Sequence, residues 1–396
     1  MATREGRIDA GAADRFEIDG NRLTLLVEAD ERLGALLALI DGAERELRLL
    51  YYIFGGDAVG ARVRDALVAA CDRGVAVALL VDGFGSEDTA EGFFEPLRAA
   101  GGSVCRFLPR FGRRYLLRNH QKLALADRDR ALIGGFNIQQ SYFTARGEAD
   151  GWRDLALLVE GPAAAHLSGY FDAALGWARD PDAKIQDLTQ ALRRWSQNEG
   201  PLRWLLGGPT RRPNPWARAL RRDLAKARRL DVISAYFAPN PGMLRRIGRL
   251  ARRGTVRILT PSHSDNSMTI AAARHCYRRL LRRGARIWEY RPMKLHSKLV
   301  VVDDATYLGS ANLDIRSLYL NCELMLRVEH AGFAARLRAH VDGETLDARE
   351  ASPAALREHA GWLTRLKWRI AYFLVTVVDY TVTRRLNFRS TGGEIG

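Results

Sequence analysis

The chain has 396 residues and a formal net charge of +15, long enough to bury two cores, or one duplicated core, without covalent staples. Its 4 cysteines, Cys71, Cys105, Cys276 and Cys322, show no paired spacing, which speaks for a reducing compartment and against a disulfide framework or a zinc knuckle. No basic segment leads into an apolar one at the N-terminus, and no run of about 18 uncharged apolar residues occurs, so neither a signal peptide nor an ordinary transmembrane helix is expected.

The positive balance points to a polyanionic partner: nucleic acid, an anionic lipid surface or a phosphorylated substrate. An arginine-rich genome would give the same total. Against that background lysine is scarce, with Lys122, Lys184, Lys226, Lys294, Lys298 and Lys367 the whole set. Lys122 and Lys298 fall in a repeated motif, where a compact ammonium is wanted rather than a planar fork.

In chain order, residues 1–20 are polar and aperiodic and read as a flexible tail. A helix over 31–46, a buried strand over 47–54, a helix over 58–73 stopped by Gly74 and a strand over 75–81 form a strand–helix–strand unit. A helix near 93–100 and a strand near Val104 follow. Then comes His120-Gln-Lys122-Leu-Ala-Leu-Ala-Asp127, trailed by Gly134-Gly135-Phe136-Asn137. The order returns with a strand over 230–237, a helix over 241–253, a strand over 256–259, a helix near 271–283 and a strand over 285–288. His296-Ser-Lys298-Leu-Val-Val-Val-Asp303 comes next, trailed by Gly309-Ser310-Ala311-Asn312. The period, from 120 to 296, is 176 residues, too long for a solenoid repeat and fitting a duplicated α/β domain. The expected division is a first lobe over 21–180, a linker over 181–215, a second lobe over 216–345 and a helical C-terminal segment over 346–396. In that last segment Trp362 to Val378 is apolar and aromatic, with Arg365, Lys367, Arg369, Arg384 and Arg385 around it. Asp379 ends the run too early for a bilayer span. An in-plane membrane helix fits residues 362–388, the alternative being a helix packed on the core or in a dimer interface.

On a strand the two-residue spacing places His and Lys of each motif on one side. Two imidazoles and two ammonium groups brought together between the lobes would hold a tetrahedral phosphate, so His120, Lys122, His296 and Lys298 are the candidate catalytic residues. Asn137, Ser310 and Asn312 are candidate phosphate donors. One imidazole can attack phosphorus while the other protonates the leaving oxygen, with no cofactor and no metal required. Asp127 and Asp303 complete the motif and stand with the catalytic candidates, although an Asp at a turn has a plain structural reading. Trp152-Arg-Asp154-Leu aligns with Asn321-Cys-Glu323-Leu, so Asp154 is expected to orient His120 and Glu323 to orient His296. The remaining histidines, His166, His263, His275, His330, His340 and His359, are read as structural.

The duplicated H-x-K-x4-D followed by G-[GS]-x-N resembles the phospholipase D superfamily. That resemblance implies an α/β fold of two similar lobes with mixed central sheets related by a pseudo-twofold, an active site between them, a phosphohistidine intermediate and no metal. Trp152-Arg-Asp154, Glu160-Gly161-Pro162, Asp265-Asn266 and Ser310-Ala-Asn312-Leu-Asp314-Ile-Arg316-Ser317 are similar to bacterial cardiolipin synthases, in a short form lacking N-terminal membrane helices. Cys322 stands where an aromatic is usual and Ile315 where proline is usual. The implied reaction is phosphatidyl transfer from phosphatidylglycerol, with His120 as nucleophile and a second phosphatidylglycerol or phosphatidylethanolamine taking part. The implied partners are anionic phospholipids and a membrane surface, on the cytoplasmic face of the bacterial membrane, with nucleic acid a weaker alternative. A phospholipase D or a nuclease would use the same motifs, and a binding module with an idle site is a third reading. The motifs do not give the oligomeric state.

Overall fold

The computed structural model describes residues 14–107, 117–210, 213–354 and 361–378. The first lobe opens with the hairpin β1 (Arg15–Ile18) and β2 (Asn21–Leu26), followed by α1 (Ala29–Asp41) and β3 (Glu46–Tyr51). Two crossovers, through α2 (Ala58–Asp72) to β4 (Ala76–Asp82) and through α3 (Glu95–Ala99) to β5 (Ser103–Phe107), keep these strands parallel. The chain then doubles back. β6 (Leu123–Ala126) lies antiparallel to β3, followed by β7 (Arg130–Gly134), the two-residue β8 (Trp152–Arg153) and β9 (Ala156–Glu160). The mixed sheet has the order β1-β2-β9-β7-β6-β3-β4-β5. Every residue of β6 is buried, as a central strand covered on both faces requires, which is why the motif's spacer is wholly apolar.

Helices α4 (Pro162–Arg179) and α5 (Ile185–Arg194), β10 (Leu202–Gly207) and α6 (Pro215–Lys226) lead into the second lobe. There β11 (Arg229–Ser234), β12 (Phe237–Ala238), α7 (Pro241–Leu250), β13 (Thr255–Pro261), α8 (Ser267–Leu281) and β14 (Arg286–Tyr290) repeat the parallel half. The antiparallel half follows as β15 (Lys294–Leu295), β16 (Lys298–Val302), β17 (Ala305–Gly309), β18 (Leu313–Asp314), α9 (Ile315–Tyr319) and β19 (Glu323–Glu329). Then come α10 (Ala331–Leu346), β20 (Ala348–Glu350) and α11 (Trp362–Phe373). The second sheet runs β10-β19-β17-β16-β11-β13-β14-β20, so β16-β11-β13-β14 repeats β6-β3-β4-β5. One core joins the lobes: Leu50, Leu125 and Ile133 of the first sheet, Ile233, Val301 and Leu326 of the second, Phe171 of α4 and Leu337 of α10.

Three expected boundaries move. Residues 14–20 are not a tail: Ile18 is buried and β1 pairs with β2 in full register, a strand too short for its alternation to show. Residues 1–13 lie outside the described residues. The expected linker contains β10, which pairs with β19 from Leu202↔Val328 to Gly207↔Glu323 and so belongs to the second sheet. β20 likewise carries that sheet past residue 345, through its pairing with β14.

Candidate active site

Short extended segments stitch the lobes together, and they decide which groups meet. β15 pairs in parallel with β8, so the His296 N–H donates to the Arg153 carbonyl at 2.7 Å. The related bridge joins Asn119 to Cys322, and the His120 N–H donates to the Cys322 carbonyl at 2.9 Å. Each histidine is thereby laid beside the residue preceding the other lobe's carboxylate. His120 Nδ1 lies 3.2 Å from Glu323 Oε2, and His296 Nδ1 lies 2.7 Å from Asp154 Oδ2. The expected pairing within each lobe is therefore corrected to a crossed one. Internal alignment identifies the equivalent carboxylates, but strand pairing between lobes assigns them.

A carboxylate only accepts, so each Nδ1 carries the hydrogen and each Nε2 keeps its lone pair. Both histidines line one cavity of about 460 Å3, together with Tyr52, Asn137, Trp152, Tyr236, Asn312 and Arg316 among others. Tyr52 packs its ring 5.0 Å from His120; Tyr142 and Trp152 stand edge-on to His296 at 5.1 and 5.2 Å. Burial, then the neighbouring lysine, pushes His120 down to about 4 and His296 down to about 3, against the pull of their carboxylates. Both imidazoles are neutral at physiological pH. Burial also brings Lys122 down to about 7 and Lys298 to about 8, with the carboxylates opposing. Burial alone would raise Asp154 and Glu323, yet the paired histidines and the lysines hold both below the ordinary range.

The supports of the two carboxylates differ. Glu323 accepts from Ser310 Oγ at 2.5 Å, Ser317 Oγ at 2.8 Å and Asn321 Nδ2 at 3.4 Å. Asp154 accepts from its neighbour Leu155 N at 2.8 Å, and a Cβ at Gly135 would fall 2.5 Å from Asp154 Oδ1. Gly135 is thus required for close approach where the duplicate has Ser310. Ser310, expected on the phosphate, instead donates to Glu323 and accepts from Leu324 N at 2.9 Å; it does not line the cavity. Asn137 and Asn312 do line it, each anchored through Oδ1 to a backbone N–H, of Ile53 at 3.1 Å and Tyr236 at 3.3 Å. Lys122 and Lys298 are buried beneath the surface, each donating to the carbonyl of its own histidine, at 2.6 Å for Lys122.

Asp127 and Asp303 do not reach this cavity. Asp127 lies seven positions after His120, at the far end of β6, roughly 20 Å away for an extended chain. Asp127 accepts from the backbone N–H groups of Glu44, Arg45 and Glu46, and Asp303 from those of Arg228 and Arg229. Both have positive φ, 52° and 46°, the left-handed conformation that Asp tolerates at hairpin turns. Their place among the catalytic candidates is corrected to a fold-holding role. Asp127→Ala and Asp303→Ala should each cost about 1–2 kcal/mol of stability, by removing a charged acceptor from several part-buried or exposed backbone N–H groups. Turnover per folded molecule should stay near the parent's. Thermal melts beside low-temperature assays check this; lost turnover with an unchanged melt would reverse it.

Sequence reasoning passed over Arg32. Fully buried, it donates to the carbonyls of Asp154 at 2.9 Å and Tyr142 at 2.9 Å, bracing the segments that face His296. The signal was present: Arg32 occupies the apolar stripe of α1 with Leu36, Leu39 and Ile40. Tyr52 was missed because its counterpart in the duplicate is Ala235, so the internal repeat carried no hint of it.

Residues 36–174 and 220–344 match the family described as "Cardiolipin synthase, PLD-like domain". The chain is 30% identical over 322 residues to cardiolipin synthase 1 of Bacillus anthracis, a match that takes in 78% of this chain and 63% of the relative, so it spans under two thirds of that protein. It is 30% identical over 365 residues to cardiolipin synthase B of Salmonella typhimurium, covering 87% of this chain and 85% of the relative. Among solved structures, phosphatidylserine synthase from Haemophilus influenzae shares the fold with a TM-score of 0.71 at 15% identity, over 91% of this chain and 94% of that one. The matched stretches contain both histidine motifs and both crossed carboxylates, and the chain belongs to the cardiolipin synthase, PLD-like domain family of the phospholipase D superfamily.

Proposed function

We propose that this protein is a phosphatidyltransferase that makes cardiolipin from phosphatidylglycerol through a phosphohistidine intermediate. The observation that carries this reading is the pair of neutral imidazoles facing one cavity, each fixed by the other lobe's carboxylate. His120 Nε2 attacks the phosphorus of phosphatidylglycerol, and the bond to the glycerol oxygen breaks. The anionic phosphodiester stabilises a proton on His296, which passes to the departing glycerol. His296 then takes the proton of a hydroxyl on a second phosphatidylglycerol, whose oxygen attacks phosphorus and releases His120. Phosphatidylethanolamine as donor would expel ethanolamine by the same steps. Lys122 and Lys298, buried and outside the cavity lining, offset the phosphoryl charge through ammonium forms that the anionic phosphodiester favours, with the Asn137 and Asn312 amides donating from the walls. Lipid product analysis tests the reading: cardiolipin made from phosphatidylglycerol vesicles supports it, and phosphatidic acid alone would make the enzyme a hydrolase.

The membrane is the second part of the proposal. α11 packs on α8 through Tyr372, whose ring stacks on His275 and whose hydroxyl donates to the Pro239 carbonyl at 2.8 Å. Among the described residues nothing covers its other face. Trp362 is 69% exposed, Leu363 55%, Ile370 49% and Phe373 53%, with Leu366 and Val377 on the same stripe. An apolar stripe at helical spacing flanked by Arg365, Lys367 and Arg369 suits an interface of anionic lipid. Among the described residues no helix is long and apolar enough to cross a membrane, so attachment is proposed as peripheral, on the cytoplasmic face. Residues 379–388 of the expected helix lie outside the described residues. Leu366→Glu with Ile370→Glu should weaken binding to phosphatidylglycerol vesicles by about ten-fold or more, since each buried side chain is worth about 1.5–3 kcal/mol. The melting temperature should hold; unchanged vesicle binding would remove the stripe from the account.

A further inference from the structure

A second cavity, of about 480 Å3, lies across α9 from the first. Arg316 and Ser317 of that short helix line the active-site cavity, and Leu318 and Tyr319 line the other. Its walls carry Arg221 of α6 and Arg245 and Arg246 of α7 and, among the described residues, no carboxylate. Arg221 and Arg246 are half-buried and Arg245 is exposed, and they differ from three arginines that are held between carboxylates: Arg153 sits between Glu28 and Glu344, Arg257 between Asp231 and Asp342, and Arg327 between Asp223 and Glu329. For Arg221, Arg245 and Arg246 no such ion pair forms among the described residues, and Arg246 meets the Gly242 carbonyl at 3.2 Å instead. Burial, then Arg221, Arg249 and Arg245, holds Arg246 below the ordinary range. Like charges converging on a concavity repel one another until an anion enters.

Position narrows the choice of anion. Asn240 in the cavity wall donates to Tyr319 Oη at 2.9 Å, and the preceding residue, Pro239, receives the α11 hydroxyl of Tyr372. The cavity therefore adjoins the base of the helix whose apolar stripe faces outward. Guanidinium forks match the paired oxygens of a phosphodiester. We propose that this cavity binds the phosphodiester headgroup of an anionic phospholipid, at a site separate from the one where transfer occurs. The assignment rests on the membrane reading above, and α9 couples the two sites, since its Ser317 also holds Glu323.

The test uses the full chain carrying His120→Ala, so that binding is read without turnover. Binding to phosphatidylcholine vesicles is measured with and without phosphatidylglycerol. R221Q/R245Q/R246Q should weaken binding to the phosphatidylglycerol vesicles by about ten-fold or more, given what each arginine contributes at an anionic surface. A charge-matched control, R252Q/R278Q/R282Q, changes exposed arginines outside the cavity and should weaken it by less. Both variants must melt like the parent; if the cavity triple does not fold, R246Q alone is compared with R278Q alone. Equal losses from cavity and control variants would mean diffuse attraction and overturn the site. In a parallel arm, inorganic phosphate is added without lipid. Phosphate stabilising the parent but not the cavity variant, with vesicle binding untouched, would assign the site to a free anion and overturn the lipid assignment. None of these outcomes depends on cardiolipin being formed, so they stand apart from the test of the transferase.

Discussion

Alanine in place of His120 or His296 is expected to lower cardiolipin formation by at least about 10^3-fold, since one group of a nucleophile–acid pair is lost outright. The two variants should then separate on an activated substrate. A phosphatidyl ester of p-nitrophenol has a leaving group that departs without a proton. His296→Ala should regain release of p-nitrophenol, because its missing role in the first step is acid catalysis. His120→Ala should stay inactive, because no nucleophile remains in the cavity. Fold loss is an unlooked-for explanation that a melt removes: His120 is partly open to the cavity, and its replacement leaves Glu323 with three other donors. Recovery by His120→Ala and not by His296→Ala would move the nucleophile to His296.

The crossed carboxylates give the second large effect. Glu323→Gln and Asp154→Asn keep the shape but replace an acceptor with an amide whose NH2 can face Nδ1, so that the imidazole presents its N–H, not its lone pair, to phosphorus. Loss of turnover by roughly 10^2–10^4-fold is expected, the upper end matching the known cost of a wrong histidine tautomer in a hydrolase triad. The two should differ in stability. Ser310, Ser317 and Asn321 all donate to Glu323, so the Gln variant sets donor against donor and should melt well below the Asn variant. Nitrogen NMR of the imidazoles reads the crossing directly. Glu323→Gln should shift the tautomer of His120 and leave His296 alone, and Asp154→Asn should do the reverse. The opposite pattern would restore pairing within each lobe.

Much of this arrangement was legible in the residues, for identifiable reasons. The duplicated motif announced two lobes because a wholly apolar spacer between polar ends fits a strand covered on both faces, and β6 and β16 are such strands. The expected starts at 58 and 241 hold, where Asp57 accepts from Gly60 N and Asn240 from Met243 N, whereas α8 begins at Ser267, ahead of the expected 271, under the cap of Asn266. What could not be read was which lobe's carboxylate meets which histidine. The swap of Asp154 and Glu323 depends on β8 meeting β15, a two-residue pairing with no periodicity of its own. Ser310 was misassigned for a similar reason, since a hydroxyl beside the motif serves phosphate or carboxylate equally well until Glu323 is placed. Asp127 and Asp303 misled through their constancy in the repeat, which reflects a shared turn geometry and not a shared chemistry.

The most direct test of the central claim is to incubate the purified chain, and its His120→Ala variant, with phosphatidylglycerol vesicles with and without phosphatidylethanolamine. Lipid products, and peptides from protein denatured rapidly without acid so that the acid-labile P–N bond survives, are then analysed by mass spectrometry. The account predicts cardiolipin and free glycerol from the parent alone, with a phosphatidyl adduct on the peptide carrying His120. Phosphatidic acid in place of cardiolipin, or cardiolipin still formed by His120→Ala, would contradict it.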